Sequence, residues 1–260
     1  MTGTIDDALA RLAATPRLLV ALDFDGTLSP LQDDPMRSRM LPAARQAVEA
    51  LAVLPDTIVA LVSGRSMVDL RLIAEHDDRS PLWLAGSHGA EFWEPSTGLQ
   101  EPAGDAGDAA LRDRLQAEAE RATAHLPGVW IEPKAFGLGV HTRRADAEAA
   151  AEANRIVDAM LQAQAPQWRR RSGRDIVEYA FRHEGKDSAV AALRERTGAT
   201  AVLFAGDDVT DEDALRSLHP GDLGVRVGPG ETAADVTVAD IPEFAALLSR
   251  LAAARASRTR

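Results

Sequence analysis

Five short apolar runs punctuate the chain: Leu18–Leu22, Thr57–Val62, Leu82–Ala85, Ala201–Ala205 and Leu223–Val227. They are rich in Val, Leu and Ile, and polar residues do not alternate through them, as in strands buried on both faces. Between them, apolar positions recur at helical spacing over Pro42–Val53, Met67–Glu75, Lys186–Thr197 and Asp211–Leu218, and again from about Pro242 to Ala254. Met1 to Ala14 reads as a short amphipathic helix, and the basic tail Arg255 to Arg260 as a frayed end. Buried strands alternating with helices predict an α/β fold: a doubly wound, Rossmann-like parallel sheet. In such sheets ligands bind outside the carboxyl ends of the strands.

The rhythm changes in the middle of the chain. Gly98 to Gly107 is rich in Gly, Pro and acidic residues and reads as a loop or linker. A helix of about Ala109–His125, a strand at Gly137–His141, an Ala-rich helix near Ala145–Gln164 and a strand-like Asp175–Ala180 follow. These elements predict a small α/β domain at 106–181, inserted into a core made of 1–105 and 182–260. Its linkers, near Gly104–Gly107 and Arg182–Gly185, are expected hinges.

Composition narrows the possibilities. The 260 residues are 45% hydrophobic and 27% charged, ample for a globular core. A net charge of -11 argues against nucleic acid or an anionic membrane as the partner. No apolar run is long enough to span a bilayer. The absence of cysteine removes disulfides, thiolate metal sites and a thiol nucleophile. A cytoplasmic monomer acting on a small molecule is the expectation.

Candidate chemistry stands just after the predicted core strands and at the start of one helix. Asp23-Phe24-Asp25-Gly26-Thr27 follows the first strand, Ser63-Gly64-Arg65 the second, and Gly206-Asp207-Asp208-Val209-Thr210-Asp211 the run at Ala201–Ala205, while Lys186 opens a helix. In extended backbone Asp23 and Asp25 project to the same side, a repulsion that a divalent cation or a proton would relieve. Each cluster alone has a plainer reading: a turn, a helix cap at Ser66, a solvated lysine, a capped acidic helix start. Together and in this order they suit a phosphate ester. Mg2+ takes carboxylates and phosphate oxygens, and Asp23, Asp207 and the backbone carbonyl of Asp25 are candidate ligands. A metal-bound aspartate can attack phosphorus, a second can shuttle the proton, and Ser63 and Lys186 can hold the phosphoryl oxygens.

With these residues in view, the chain resembles the haloacid dehalogenase superfamily of phosphohydrolases, and more narrowly the trehalose-6-phosphate phosphatase family. The narrower likeness rests on Asp34-Pro35, on Gly86-Ser87-His88-Gly89-Ala90-Glu91 and on Gly206 to Asp213. It implies Asp23 as nucleophile, Asp25 as general acid and base, Mg2+ as cofactor, and Asp208 and Asp211 as residues behind the metal or orienting Lys186. It further implies that the insert is a cap that recognises the sugar. Glu132, Lys134, Arg143 and Glu178 are its candidate contacts, with Gly64, Arg65 and His88 on the core side. His141 resembles part of a His-x-Arg segment. Glu91 accompanies His88, as a substrate neighbour or as a brace for its loop. The chain departs from the family pattern after Glu178, where it reads Tyr179-Ala180-Phe181, and around the lysine, where it reads Gly185-Lys186-Asp187. Phosphatases for sucrose 6-phosphate or a glycosyl-phosphoglycerate would share the core motifs. So would a silent sugar-phosphate-binding module, except that such a module usually loses a catalytic carboxylate.

Overall fold

The computed structural model describes residues 4–100, 106–173 and 175–258. The chain divides into two compact units, Met1–Glu101 with Glu184–Arg260, and Pro102–His183.

In the first unit, helix α1 (Ile5–Ala14) leads into strand β1 (Leu18–Leu22), followed by α2 (Pro42–Ala52), β2 (Thr57–Val62), α3 (Met67–Ile73) and β3 (Trp83–Gly86). Two short strands, β4 (Glu91–Glu94) and β5 (Gly98–Gln100), complete this half. The second unit runs from α4 (Ala106–Thr123) through β6 (Trp130–Lys134), β7 (Gly137–His141), α5 (Ala147–Gln164) and β8 (Arg169–Gly173) to β9 (Ile176–Ala180). The chain then returns to the first unit with α6 (Lys186–Thr197), β10 (Ala201–Gly206), α7 (Glu212–Arg216), β11 (Leu223–Val227), β12 (Val236–Val238) and α8 (Ile241–Ala256).

The large sheet has the order β12-β11-β10-β1-β2-β3-β4-β5. It is parallel from β12 to β3, and β4 and β5 extend it antiparallel. Both faces of β1 are buried, and its alternation sorts the core: Leu18, Val20 and Leu22 join α1, α2, α3 and α8, while Leu19 and Ala21 join α6 and α7. Each fully buried Leu or Val there contributes on the order of 2 kcal/mol of transfer free energy. The strand order turns at β1, so the ends of β1, β2 and β10 lie side by side. That is where a doubly wound sheet opens a crevice.

Several expectations need correction. The stretch from Gly98 begins as β5 rather than as a loop, and Gly107 lies inside α4; residues 101–105, with Gly104 of the expected hinge, lie outside the described residues. The helix expected at Asp211–Leu218 is a 3-10 turn, Val209–Asp211, followed by the short α7, because the Asp211 carboxylate folds back onto backbone amides. The C-terminal end is not frayed at Arg255. That residue is 5% exposed, and its guanidinium donates to Thr57 Oγ1 at 2.5 Å and to the carbonyls of Thr15 and Asp56 at 2.9 and 2.6 Å.

The second unit is a four-stranded antiparallel sheet, β6-β7-β9-β8. Ile131, Leu138, Val140, Val177 and Tyr179 on one face pack with Leu115 and Ala119 of α4 and Val157 and Leu161 of α5. Alternation sends Glu132, Lys134, Gly139, His141 and Glu178 to the opposite face. Among the described residues no helix is long and apolar enough to cross a membrane.

Candidate active site

Asp23 stands one residue past β1, with its amide donating to Ala205 O of β10 at 2.9 Å, so the strand pairing carries directly into the site. Lys186 opens α6, and its buried Nζ lies 2.6 Å from both Asp23 Oδ1 and Asp211 Oδ1. The other oxygen of Asp211 accepts the amides of Asp207 and Asp208 at 3.2 and 3.0 Å. Asp211 thus ties the loop after β10 to the lysine. Asp208 caps the following turn, with its carboxylate accepting from the Val209 amide at 2.7 Å.

Sequence reasoning assigned no role to the Thr27 hydroxyl, which is fully buried and donates to Asp23 Oδ2 at 3.2 Å, with Asp207 Oδ1 3.5 Å away. Gly26, at φ +81°, lets the two acidic loops approach. A Cβ there would sit 2.0 Å from Asp207 Oδ2. The space a side chain would fill is occupied by a carboxylate.

Charge in this pocket is out of balance. Oxygens of Asp23, Asp207 and Asp211 lie within 4.8 Å of one another. Burial raises Asp23 well above the ordinary carboxylate range; Lys186 opposes this, and Asp211 and Asp207 reinforce it. Burial also pushes Asp207 up to about 7, helped by Asp211. For Lys186 burial works against the ammonium, yet Asp211 and Asp23 outweigh it and hold its pKa above the usual lysine value. Carboxylates this close, sharing one ammonium and lined by oxygen donors, suit a hard divalent cation such as Mg2+. Asp23, Asp207 and Asp211 each bring a carboxylate oxygen within reach of one such ion, and the donors already on Asp211 come from Lys186 and two backbone amides.

Asp25 faces a different set of partners. Arg65 grips it in a fork, Nε to Oδ2 at 2.6 Å and Nη2 to Oδ1 at 2.8 Å, and Ser38 Oγ donates to Oδ1 at 2.8 Å. Arg65 also donates its amide to Ser63 Oγ at 3.2 Å, which links the loop after β2 to Asp25. Ser63 itself is buried, and its carbonyl accepts from the His88 amide at 2.9 Å. The His88 ring lies against Gly64, where a Cβ would come within 2.7 Å of it. Glu91 acts as a brace: its Oε2 accepts from Ser87 Oγ at 2.6 Å and from the Met67 amide at 3.0 Å. Ser66 also caps α3.

In the second unit, Lys134 Nζ bridges Glu132 Oε2 at 3.0 Å and Glu178 Oε1 at 3.1 Å. Burial opposes the Lys134 ammonium, but Glu178 and Glu132 raise its pKa overall. Burial likewise works against the Glu132 carboxylate, while His141 and Lys134 bring it below the ordinary range. His141 Nε2 lies 2.5 Å from Glu132 Oε2, and its ring stacks on Trp130 with centroids 4.4 Å apart. Gly139 lies between these side chains, and a Cβ there would be 3.4 Å from Lys134 Cε. Arg143 lies beyond β7, with its Nε 4.0 Å from Asp175 Oδ2.

Comparison with known proteins adds a second line of observation. The family model described as Trehalose-phosphatase matches residues 21–240. A trehalose-phosphate phosphatase of Mycobacterium marinum is 29% identical over 248 residues, covering 90% of this chain and 61% of that protein. A protein of Mycobacterium tuberculosis, named an uncharacterized glycosyl hydrolase, is 33% identical over 88% of this chain but only 18% of its own length. The chain therefore spans less than two thirds of each of these relatives. In fold it is similar to the C-terminal domain of the C. albicans trehalose-6-phosphate phosphatase, with a TM-score of 0.82, 20% identity, and coverage of 96% of this chain and 97% of that one. It is also similar to a sugar phosphatase of the haloacid dehalogenase superfamily, with a TM-score of 0.58, 16% identity, and coverage of 89% and 96%.

Proposed function

The chain belongs to the trehalose-phosphatase family, and from that premise we propose that it hydrolyses trehalose 6-phosphate to trehalose and phosphate with Mg2+. The observation that carries this reading is Lys186 Nζ, held 2.6 Å from both Asp23 and Asp211 at the mouth of the parallel sheet. A buried carboxylate with an ammonium beside it and a second acidic loop across from it is equipped to receive a phosphoryl group.

Asp23, Asp207 and the main-chain carbonyl of Asp25 would hold the metal, which when bound neutralises charge on the phosphoryl oxygens. Asp23 attacks phosphorus, and an aspartyl-phosphate replaces the sugar ester bond. Asp25 gives its proton to the departing alkoxide. It then takes one from the water that attacks the aspartyl-phosphate, which returns Asp23 and liberates phosphate. Lys186 and the Ser63 hydroxyl hold the transferring group, where positioning and electrostatics do most of the catalysis. The Pro102–His183 unit acts as the specificity cap. Glu132 and Glu178 accept from sugar hydroxyls, Lys134 donates, and Arg143, His88, Gly64 and Arg65 are the remaining candidates around the substrate.

Phosphate release from a panel of sugar phosphates, with Mg2+ and with EDTA, tests the reading. Trehalose 6-phosphate is expected to be the preferred ester, with activity lost in EDTA. Equal rates on sucrose 6-phosphate and unrelated sugar phosphates would overturn the substrate assignment, and undiminished release in EDTA would overturn the metal.

A further inference from the structure

We infer that Ser38 is a positioning residue for Asp25: together with Arg65 it fixes the carboxylate so that one edge of Oδ2 alone remains to carry the proton. The inference rests on the phosphatase reading above and extends it to a residue outside the sequence motifs.

Ser38 is fully buried and is set in place by its own turn. Asp34 Oδ1 accepts from the Met36 amide at 3.1 Å, opening the 3-10 turn Pro35–Arg37, and the Ser38 amide closes it on Pro35 O at 3.3 Å. Arg39 Nη1 then donates to the carbonyls of Ser38 and Met36 at 2.6 and 3.0 Å. The hydroxyl so placed has both of its roles filled. It donates to Asp25 Oδ1 at 2.8 Å and accepts from Arg65 Nη2 at 3.2 Å. Its direction is therefore determined.

An ionised carboxylate offers about four lone-pair sites. Around Asp25, Oδ1 receives Ser38 Oγ and Arg65 Nη2, and Oδ2 receives Arg65 Nε. Among the described residues no further donor meets this carboxylate, which leaves one site, on Oδ2. The proton moves through that site twice. It passes from Oδ2 to the ester oxygen as the P–O bond to the sugar breaks and the bond from Asp23 oxygen to phosphorus forms. It returns from the attacking water as the new P–O bond forms and the Asp23–phosphorus bond breaks. Removing the Ser38 hydroxyl opens a second site on Oδ1 and takes a partner from Arg65. The proton can then reside where it does not reach the ester oxygen, and proton transfer needs a donor within hydrogen-bond reach.

The test exploits leaving-group chemistry. Nitrophenolate leaves without help from a proton, whereas a sugar alkoxide does not. For Ser38→Ala, first-turnover release of the sugar is expected to fall about tenfold with KM changed less than about twofold, while the first-turnover burst from p-nitrophenyl or acetyl phosphate falls less than about twofold. Ser38→Thr, which keeps the hydroxyl, restores most of the sugar-phosphate rate. An unchanged sugar-phosphate rate in Ser38→Ala, or an equal loss on both kinds of ester, overturns the inference. If the unmodified protein turns over another sugar phosphate in place of trehalose 6-phosphate, only the substrate assignment falls, and the Ser38 comparison is made on that ester. A protein inert toward every phosphate ester overturns both.

Discussion

Lys186 shows how much a single residue holds in this pocket. Its Nζ is a cationic partner of both Asp23 and Asp211, and all three side chains are buried. Lys186→Met would leave those carboxylates without their ammonium, a change worth about 3–5 kcal/mol. The expected outcome is no phosphate release and an unfolding free energy lowered by that amount in a urea titration with EDTA present. Wild-type stability in the variant would contradict the charge argument. Asp23→Asn keeps the shape and removes the proposed nucleophile, so it should fold normally and show no turnover, as circular dichroism and a phosphate assay would establish. Gly26→Ala acts on geometry instead. Its Cβ would occupy the position of the Asp207 carboxylate at a backbone φ of +81°, and activity should be lost even though no ionisable group has been touched.

Among the elements, the last turn of α8 and the middle of β7 are the most instructive. Arg255, in the last turn of α8, gathers carbonyls from the end of α1 and from the turn before β2. Arg255→Ala would strand buried carbonyls, and a loss of about 3 kcal/mol is expected in denaturant titration, with KM unchanged at low temperature. In β7, a Cβ at Gly139 would meet Ile176 Cδ1 first, at 3.2 Å, with Lys134 Cε and Glu132 Oε2 next at 3.4 and 3.5 Å, so the branches of Gly139→Val would crowd that face. The predicted result is a several-fold higher KM for the sugar phosphate with kcat changed far less, read from initial rates. These are also the places where sequence reading stopped. The strand β1 was legible because five consecutive apolar residues end in an aspartate, and the loops of the candidate site were legible because residue type and order carry them. Arg255 looks like any basic tail residue until the fold delivers carbonyls from far along the chain. The strand β8, Arg169-Arg170-Arg171-Ser172-Gly173, has no apolar alternation, so only its register with β9 reveals it. Ser38 and the Thr27 hydroxyl gain meaning solely from what they touch. Local patterns expose elements; long-range polar contacts have no local pattern.

For the whole molecule, ligand linkage offers a direct check. A cation that binds the folded pocket and not the unfolded chain stabilises by about 2.7 kcal/mol at a hundred times its dissociation constant. Mg2+ should therefore raise the unfolding temperature of the wild type and fail to do so in Asp207→Asn, as differential scanning calorimetry would show. The order of the large sheet has a separate consequence, for biosynthesis. Strand β1 is made long before its partner β10, which lies beyond the entire second unit, with Leu18 paired to Ala201. On the ribosome, one side of a wholly apolar strand thus waits unpaired while well over a hundred residues are added. Such an edge is an invitation to non-native pairing. Nascent chains arrested before Ala201 should therefore be held by chaperones or aggregate, and release should coincide with the emergence of β10.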